Sequence, residues 1–96
     1  MPTPNNTVVW KFPLDLVEEQ TIHVPHGAVA LHCELQGRQP CLWVQVDPTV
    51  EKTPRRIILV GTGNSHPALA EPTTVHIGTV QMDEFVWHFF EVGGGR

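Results

Sequence analysis

The chain has 96 residues, of which 41% are hydrophobic and 17% are charged, and its formal net charge is −4. This length suits one domain around one core, and we expect no second, catalytic domain. Six basic residues cannot form an extended cationic surface, which argues against sequence-specific recognition of nucleic acid. A core of this size gives modest stability, to which a homo-oligomer would add.

No segment is suited to crossing or entering a membrane. Uncharged apolar stretches such as 57–60 fall far short of the roughly 20 residues of a membrane span, and residues 1–7 lack the charged and apolar regions of a signal peptide. Cys33 and Cys41 are compatible with a reducing compartment. We therefore expect no membrane association and a protein that stays in the cytosol of the cell that makes it.

Short runs of β-branched and aromatic residues recur between Gly, Pro, Asn and Asp, and no long segment keeps a helical period. The predicted strands are 7–12, 20–24, 28–36, 39–47, 55–60, 73–81 and 85–92. Residues 57–60 do not alternate, which is typical of a strand covered on both faces. The sequence predicts an all-β fold, a small antiparallel sandwich or barrel of six to seven strands, over residues 1–92, with a flexible glycine-rich tail at 93–96.

The clearest element is a hairpin that turns at Gly37 and Arg38, since glycine at the first central position suits a type II′ turn. If Gln36 faces Gln39, one face of the hairpin is purely apolar and carries Val29, Leu31, Cys33, Leu42, Val44 and Val46. Cys41 then lies on the opposite face from Cys33. We expect two free thiols.

The loop after residues 55–60 is the first candidate binding site, and it consists of Gly61, Thr62, Gly63, Asn64, Ser65 and His66. Glycines let backbone N–H groups approach an anion, and the polar side chains add donors, although the lysine of a Walker loop is missing. Arg55 and Arg56 could hold phosphates bidentately. Alternatively, the glycines serve a turn and the arginines pair with Glu51 or Glu71 at the protein surface.

Trp43 is the second candidate, because the hairpin register places it on the polar face beside His32 and Gln45. There it could stack on a base or anchor a partner, unless a second sheet covers that face and makes it part of the core. Trp10 and Trp87 are predicted to be core residues, since aromatic neighbours flank them at period two.

Metal binding and catalysis find little support in the sequence. Six histidines are present, but His32, Cys33 and Cys41 lack the paired spacing and the common face of a zinc site. Ser65 and His66 form the only nucleophile and base pair in a plausible loop, and adjacent residues rarely present both side chains to one reacting atom. We predict no metal, no cofactor and no enzymatic activity.

Several segments together resemble a family of short, uncharacterised proteins of tailed bacteriophages and prophages. The resemblance rests on VWKFPL at 9–14, PCLWVQVDP at 40–48, VGTG at 60–63 with His66 and Pro67, IGTVQ at 77–81 and FVWHFFE at 85–91. It implies a phage product in the host cytoplasm. Small phage proteins of this kind often counter host defence, by sequestering a nucleotide-like small-molecule signal or by inhibiting a host defence protein. A minor virion or assembly component is a further alternative.

Overall fold

The computed structural model describes residues 6–93, and these residues form seven strands and one short 3-10 helix. The strands are β1 (Val8–Pro13), β2 (Glu19–Pro25), β3 (Val29–Gln36), β4 (Gln39–Val46), β5 (Lys52–Gly61), β6 (Val75–Met82) and β7 (Phe85–Val92), and the 3-10 helix is Pro67–Ala70. All strand pairs are antiparallel. The predicted all-β antiparallel fold is therefore confirmed. Of the predicted tail, residues 94–96 lie outside the described residues.

The strands form two separate sheets, so the fold is a sandwich rather than a closed barrel. The three-stranded sheet has the order β1-β4-β3, and the four-stranded sheet has the order β2-β5-β7-β6. Their inner faces enclose the main core, in which Leu14, Val44, Ile57 and Phe89 are almost fully buried. No helix among residues 6–93 has the length and apolar character that crossing a membrane requires.

Strand β5 is buried on both faces, as its unbroken apolar run predicts. Ile57 belongs to the main core between the sheets, whereas Ile58 and Val60 belong to a second cluster on the outer face of the four-stranded sheet. Ala68 of the 3-10 helix covers that second cluster. The 3-10 helix therefore fixes the segment after β5 against the sheet.

The two sheets come closest where β3 faces β6. A Cβ atom on Gly78 would lie only 2.1 Å from the Cβ atom of Cys33. Both strands are irregular at this corner, with a register shift between Ala30 and His32 in β3 and another between His76 and Gly78 in β6. The bulges bend the strands, and the missing side chain of Gly78 lets the sheets meet.

The predicted hairpin register is confirmed from Gln36 to His32 and is wrong beyond it. Because of the β3 bulge, Ala30 pairs with Val44 and Val29 pairs with Gln45. Val29 and Leu31, which were expected on the apolar face, are 53% and 49% exposed. Cys33 lies in the core, and Cys41 is buried at a strand position that points to the opposite face of the sheet. Both are free thiols.

Candidate functional site

The Gly61–His66 loop begins with a tight turn at the end of β5. The Asn64 N–H donates to the Gly61 carbonyl at 3.0 Å, and the Thr62 N–H donates to the Val86 carbonyl at 3.2 Å. Gly63 has a φ of 88°, the left-handed value that the third position of a type II turn requires. The interpretation of this glycine as a turn residue agrees with its geometry.

His66 ends the loop and caps the 3-10 helix. Its Nδ1 accepts the Ala68 N–H at 3.0 Å, so the neutral ring carries its proton on Nε2. That Nε2 atom lies 3.9 Å from Oε1 of Glu18, and the His66 side chain is 7% exposed. This histidine is therefore held by the structure of the loop itself.

Two cavities adjoin each other beside the loop, and we call the pair the cleft. The first cavity has a volume of about 420 Å³ and is lined by Leu16, Glu18, Leu59, Val60, Gly61, Asn64, Ser65, His66 and Trp87. The second has a volume of about 480 Å³ and is lined by Gly61, Thr62, Asn64, Glu84, Phe85, Val86 and Trp87. Of the six loop residues predicted as a site, Gly63 alone lines neither cavity.

Gly61, Asn64 and Trp87 line both cavities and form the wall between them. Gly61 pairs with Trp87 across β5 and β7, and a Cβ atom on Gly61 would lie 2.9 Å from the Asn64 Nδ2 atom and 3.1 Å from Cζ3 of the indole. The absence of a side chain at Gly61 is what allows the ring and the amide to approach. In this loop the glycine therefore serves close packing as well as a turn.

Trp87 is the functional candidate that sequence reasoning placed in the core. It packs against the core but remains half-buried, with Phe85 stacked beside it at a centroid distance of 5.8 Å and an interplanar angle of 20°. Phe85 is 56% exposed. The period-two aromatic pattern of β7 was visible in the sequence, but its position beside Gly61 depends on the pairing of β5 with β7.

Thr62, Asn64 and Ser65 differ in how freely their side chains could meet a ligand. The Thr62 hydroxyl is hydrogen-bonded to His88 Nε2 at 2.8 Å, and His88 Nδ1 is bonded in turn to the Thr79 hydroxyl at 2.9 Å. Within residues 6–93 the side chains of Asn64 and Ser65 make no hydrogen bond. The amide and the serine hydroxyl are therefore the available polar groups of the loop.

The structure does not bring Arg55 or Arg56 to the loop. Both lie near the other end of β5, which at roughly 3.3 Å per residue is roughly 17–20 Å from Gly61. Arg55 is 7% exposed and forms a bidentate ion pair with Glu91, with a further bond from Nη1 to the Ala28 carbonyl at 3.0 Å. Arg56 pairs with Glu19, where its Nε donates to Oε1 at 2.7 Å. The structure therefore separates these arginines from the loop, and the loop as an anion site stays a prediction.

The other basic side chains of the described residues also have partners, and none of them lines the cleft. Lys11 donates to Gln36, and the Lys52 ammonium lies 5.7 Å from the centroid of the Trp10 ring. Arg38 donates to Asp83 at 3.1 Å and thereby links the turns of two hairpins. This hydrogen bond and the guanidinium charge hold the pKa of Asp83 below its usual range.

Trp43 lies on the outer face of the three-stranded sheet, whereas the loop follows β5 of the four-stranded sheet. It is half-buried between Lys11 of β1 and His32 of β3, and its centroid is 6.1 Å from that of His32 at a tilt of 35°. The predicted position beside His32 is confirmed. Among residues 6–93 no further strand covers this face, and the role of Trp43 as a stacking platform stays a prediction.

The described residues do not join Ser65 and His66 as a nucleophile and base, and they offer no metal centre. No hydrogen bond joins Ser65 to His66, whose Nδ1 is already occupied by the Ala68 N–H. Nowhere between residues 6 and 93 do three His, Cys, Asp or Glu side chains converge as metal ligands would. The cleft presents an aromatic surface near the carboxylates of Glu18 and Glu84.

The chain belongs to a protein-domain family described as a domain of unknown function, DUF7352, whose model matches residues 5–95. No curated protein and no solved structure matches it. The family therefore extends over the whole sandwich and includes every residue of the cleft.

Proposed function

We propose that this member of the DUF7352 family is a non-catalytic binding protein whose cleft holds a segment of a partner protein. The observation that carries the proposal is the composition of the cleft. Its two cavities share Trp87 as a wall, Glu18 and Glu84 supply carboxylates, and no Lys or Arg of residues 6–93 lines either cavity.

These charges argue against the nucleotide-like anion that the loop composition suggested. A phosphate in the cleft would meet the negative potential of Glu18 and Glu84 without a cationic partner, and the five basic residues within 6–93 lie elsewhere. Desolvating a phosphate without a counter-charge is unfavourable. A protein segment that carries no negative charge would not incur this electrostatic cost.

The geometry of the cleft also resembles the binding surface of a protein interface. Such interfaces combine exposed aromatic anchors in concave pockets with a polar rim, and Trp is enriched among the residues that contribute most to affinity. Trp87 and Phe85 supply the aromatic surface, while Asn64 and Ser65 supply polar groups without an internal partner. The resemblance to phage proteins supports a partner inside a bacterial host, where this protein would inhibit a defence factor.

The test is affinity purification from a bacterial host, followed by mass spectrometry of proteins and of small molecules. Ser65→Trp fills the first cavity from an exposed position that makes no side-chain hydrogen bond, and Thr73→Trp is the matched control on a surface outside the cleft. We expect a co-purified protein with the wild type and Thr73→Trp but not with Ser65→Trp, at equal melting temperatures.

Two results would contradict the proposal. A partner that Ser65→Trp retains would place the interface elsewhere, such as the sheet face that carries Trp43. A nucleotide-like molecule that co-purifies with the wild type and is lost from Ser65→Trp would restore the sequestration hypothesis.

A further inference from the structure

We propose that the second cavity binds an arginine side chain of the partner, with its guanidinium stacked on the exposed ring of Phe85, which is itself stacked on Trp87, and paired with Glu84. This inference rests on the proposed function and specifies the chemistry that the cleft recognises. It assigns the stacking surface to the two aromatic side chains and the ion pair to Glu84.

The aromatic surface suits a planar cation. Phe85 and Trp87 are two residues apart on β7, and their rings are 5.8 Å apart and 20° from parallel. A guanidinium stacks on such faces through the ring quadrupole and its own planar π system. The same chain already places a cation near an indole, since the Lys52 ammonium is 5.7 Å from the centroid of Trp10. Trp87 has no cation of this chain near it in the described part.

The charge arrangement singles out Glu84 as the counter-ion. The turn between β6 and β7 carries two carboxylates, and Arg38 occupies that of Asp83 at 3.1 Å. Glu84 lines the second cavity and has no hydrogen bond or ion pair within residues 6–93. In the first cavity, by contrast, Glu18 already faces His66 at 3.9 Å. The carboxylate available to an incoming cation is therefore the one beside the two rings.

The remaining groups of the cavity favour arginine over lysine. A guanidinium carries five donors in a plane, and the Asn64 amide lies on the same wall as Trp87 with its oxygen free to accept one. A lysine ammonium could pair with Glu84 but would gain less from the stacked rings and is more strongly hydrated. We therefore expect arginine to bind more tightly than lysine.

The experiment is an NMR titration of the isotope-labelled full chain with N-acetylarginine amide. N-acetylcitrulline amide is the neutral analogue of similar shape, and adenosine monophosphate is the anionic probe. The indole N–H signal of Trp87 is assigned by its loss in Trp87→Phe. The variants are Glu84→Gln and, as a matched control, Glu51→Gln, an exposed carboxylate outside the cleft.

We expect the arginine probe to shift the Trp87 indole and Phe85 signals saturably. Glu84→Gln should weaken its binding about two- to fivefold, the range of an exposed ion pair, while Glu51→Gln leaves it unchanged. Citrulline that binds as tightly as arginine, or a Glu84→Gln variant with wild-type affinity, would overturn the inference. If the inference fails in this way but a host protein is still captured by the wild type and lost from Ser65→Trp, the proposed function stands. Adenosine monophosphate that binds in the cleft, and more tightly in Glu84→Gln, would overturn both.

Discussion

Replacing Gly78 by alanine tests the contact on which the sandwich closes. The new Cβ atom would lie 2.1 Å from Cβ of Cys33, 2.8 Å from its Sγ and 3.3 Å from its Cα. Gly78 is not among the glycines with positive φ, so the backbone itself tolerates alanine. The destabilising effect of this substitution is therefore steric.

The size of the effect follows from how far the two strands must separate. Two carbon atoms prefer about 3.5–4.0 Å, so the sheets would have to part by more than about 1 Å at a site where neither Cβ atom can rotate away. Overpacking usually costs about 1–3 kcal/mol, and a backbone-anchored clash belongs at the upper end. About 3 kcal/mol lowers the melting temperature of a domain of this size by roughly 12–24 °C. Thermal unfolding followed by circular dichroism measures it.

A control and a rescue separate the clash from a general effect of removing glycine. Gly63→Ala adds a side chain in open space but at a φ of 88°, and should cost about 1–2 kcal/mol through the backbone. Cys33→Gly removes the clashing atoms, so the double variant with Gly78→Ala should be more stable than the two single costs predict, by about 1 kcal/mol or more. If Gly78→Ala costs less than Gly63→Ala, or the double variant is additive, β3 and β6 do not meet as described.

Three further predictions concern buried groups. The Arg55→Met variant should lose about 3–5 kcal/mol of unfolding free energy, measured with urea, because Glu91 is left charged and buried. The additional change Glu91→Leu should recover most of that loss. A single variant as stable as the wild type would contradict the buried ion pair. His66→Asn keeps an acceptor for the Ala68 N–H, so it should be more thermally stable than His66→Phe by about 1 kcal/mol. Equal melting temperatures of the two variants would contradict the role of His66 as a helix cap. Burial raises the pKa of the Cys33 thiol from 9.0 to about 11, and the nearby Cys41 adds to the shift. The Cys33 thiol therefore ionises at a lower pH in the unfolded chain than in the folded protein. The free energy of unfolding should fall as the pH rises from about 9 to 11, by about 1.4 kcal/mol for each unit of pKa shift. The Cys33→Ala variant should lack this part of the pH dependence.

The strands could be predicted from the sequence because strand formation here follows local alternation. Residues 85–92 form β7 within the predicted bounds, and the unbroken apolar run 57–60 correctly indicated burial on both faces. The bulge at Leu31 could not be predicted, because it has no local signal and adds one residue to β3 opposite β4. That one residue moved Val29 from the expected core face to solvent.

The loop of the candidate site could be recognised by its composition, but its surroundings could not. Arg55 was assigned to the loop because it is close in sequence, whereas its partner Glu91 follows 36 residues later. Whether an arginine binds an anion or closes a core depends on which strands are neighbours. The strand order was also needed to recognise Trp87 as a residue of the cleft. Its position beside Gly61 follows from the order β2-β5-β7-β6.

Strands β5 and β7 explain why the cleft lies at one end of the core. Alternation puts Arg55 and Gly61 on the inner face of β5, and Glu91 and Trp87 on the inner face of β7. At one end, two long charged side chains meet, neutralise each other and seal the space between the sheets. At the other end Gly61 faces the Trp87 indole, and this ring and the Asn64 amide pack closely against the glycine between the two cavities of the cleft. The antiparallel pairing of two strands thus places an ion pair at one end of the core and the cleft at the other.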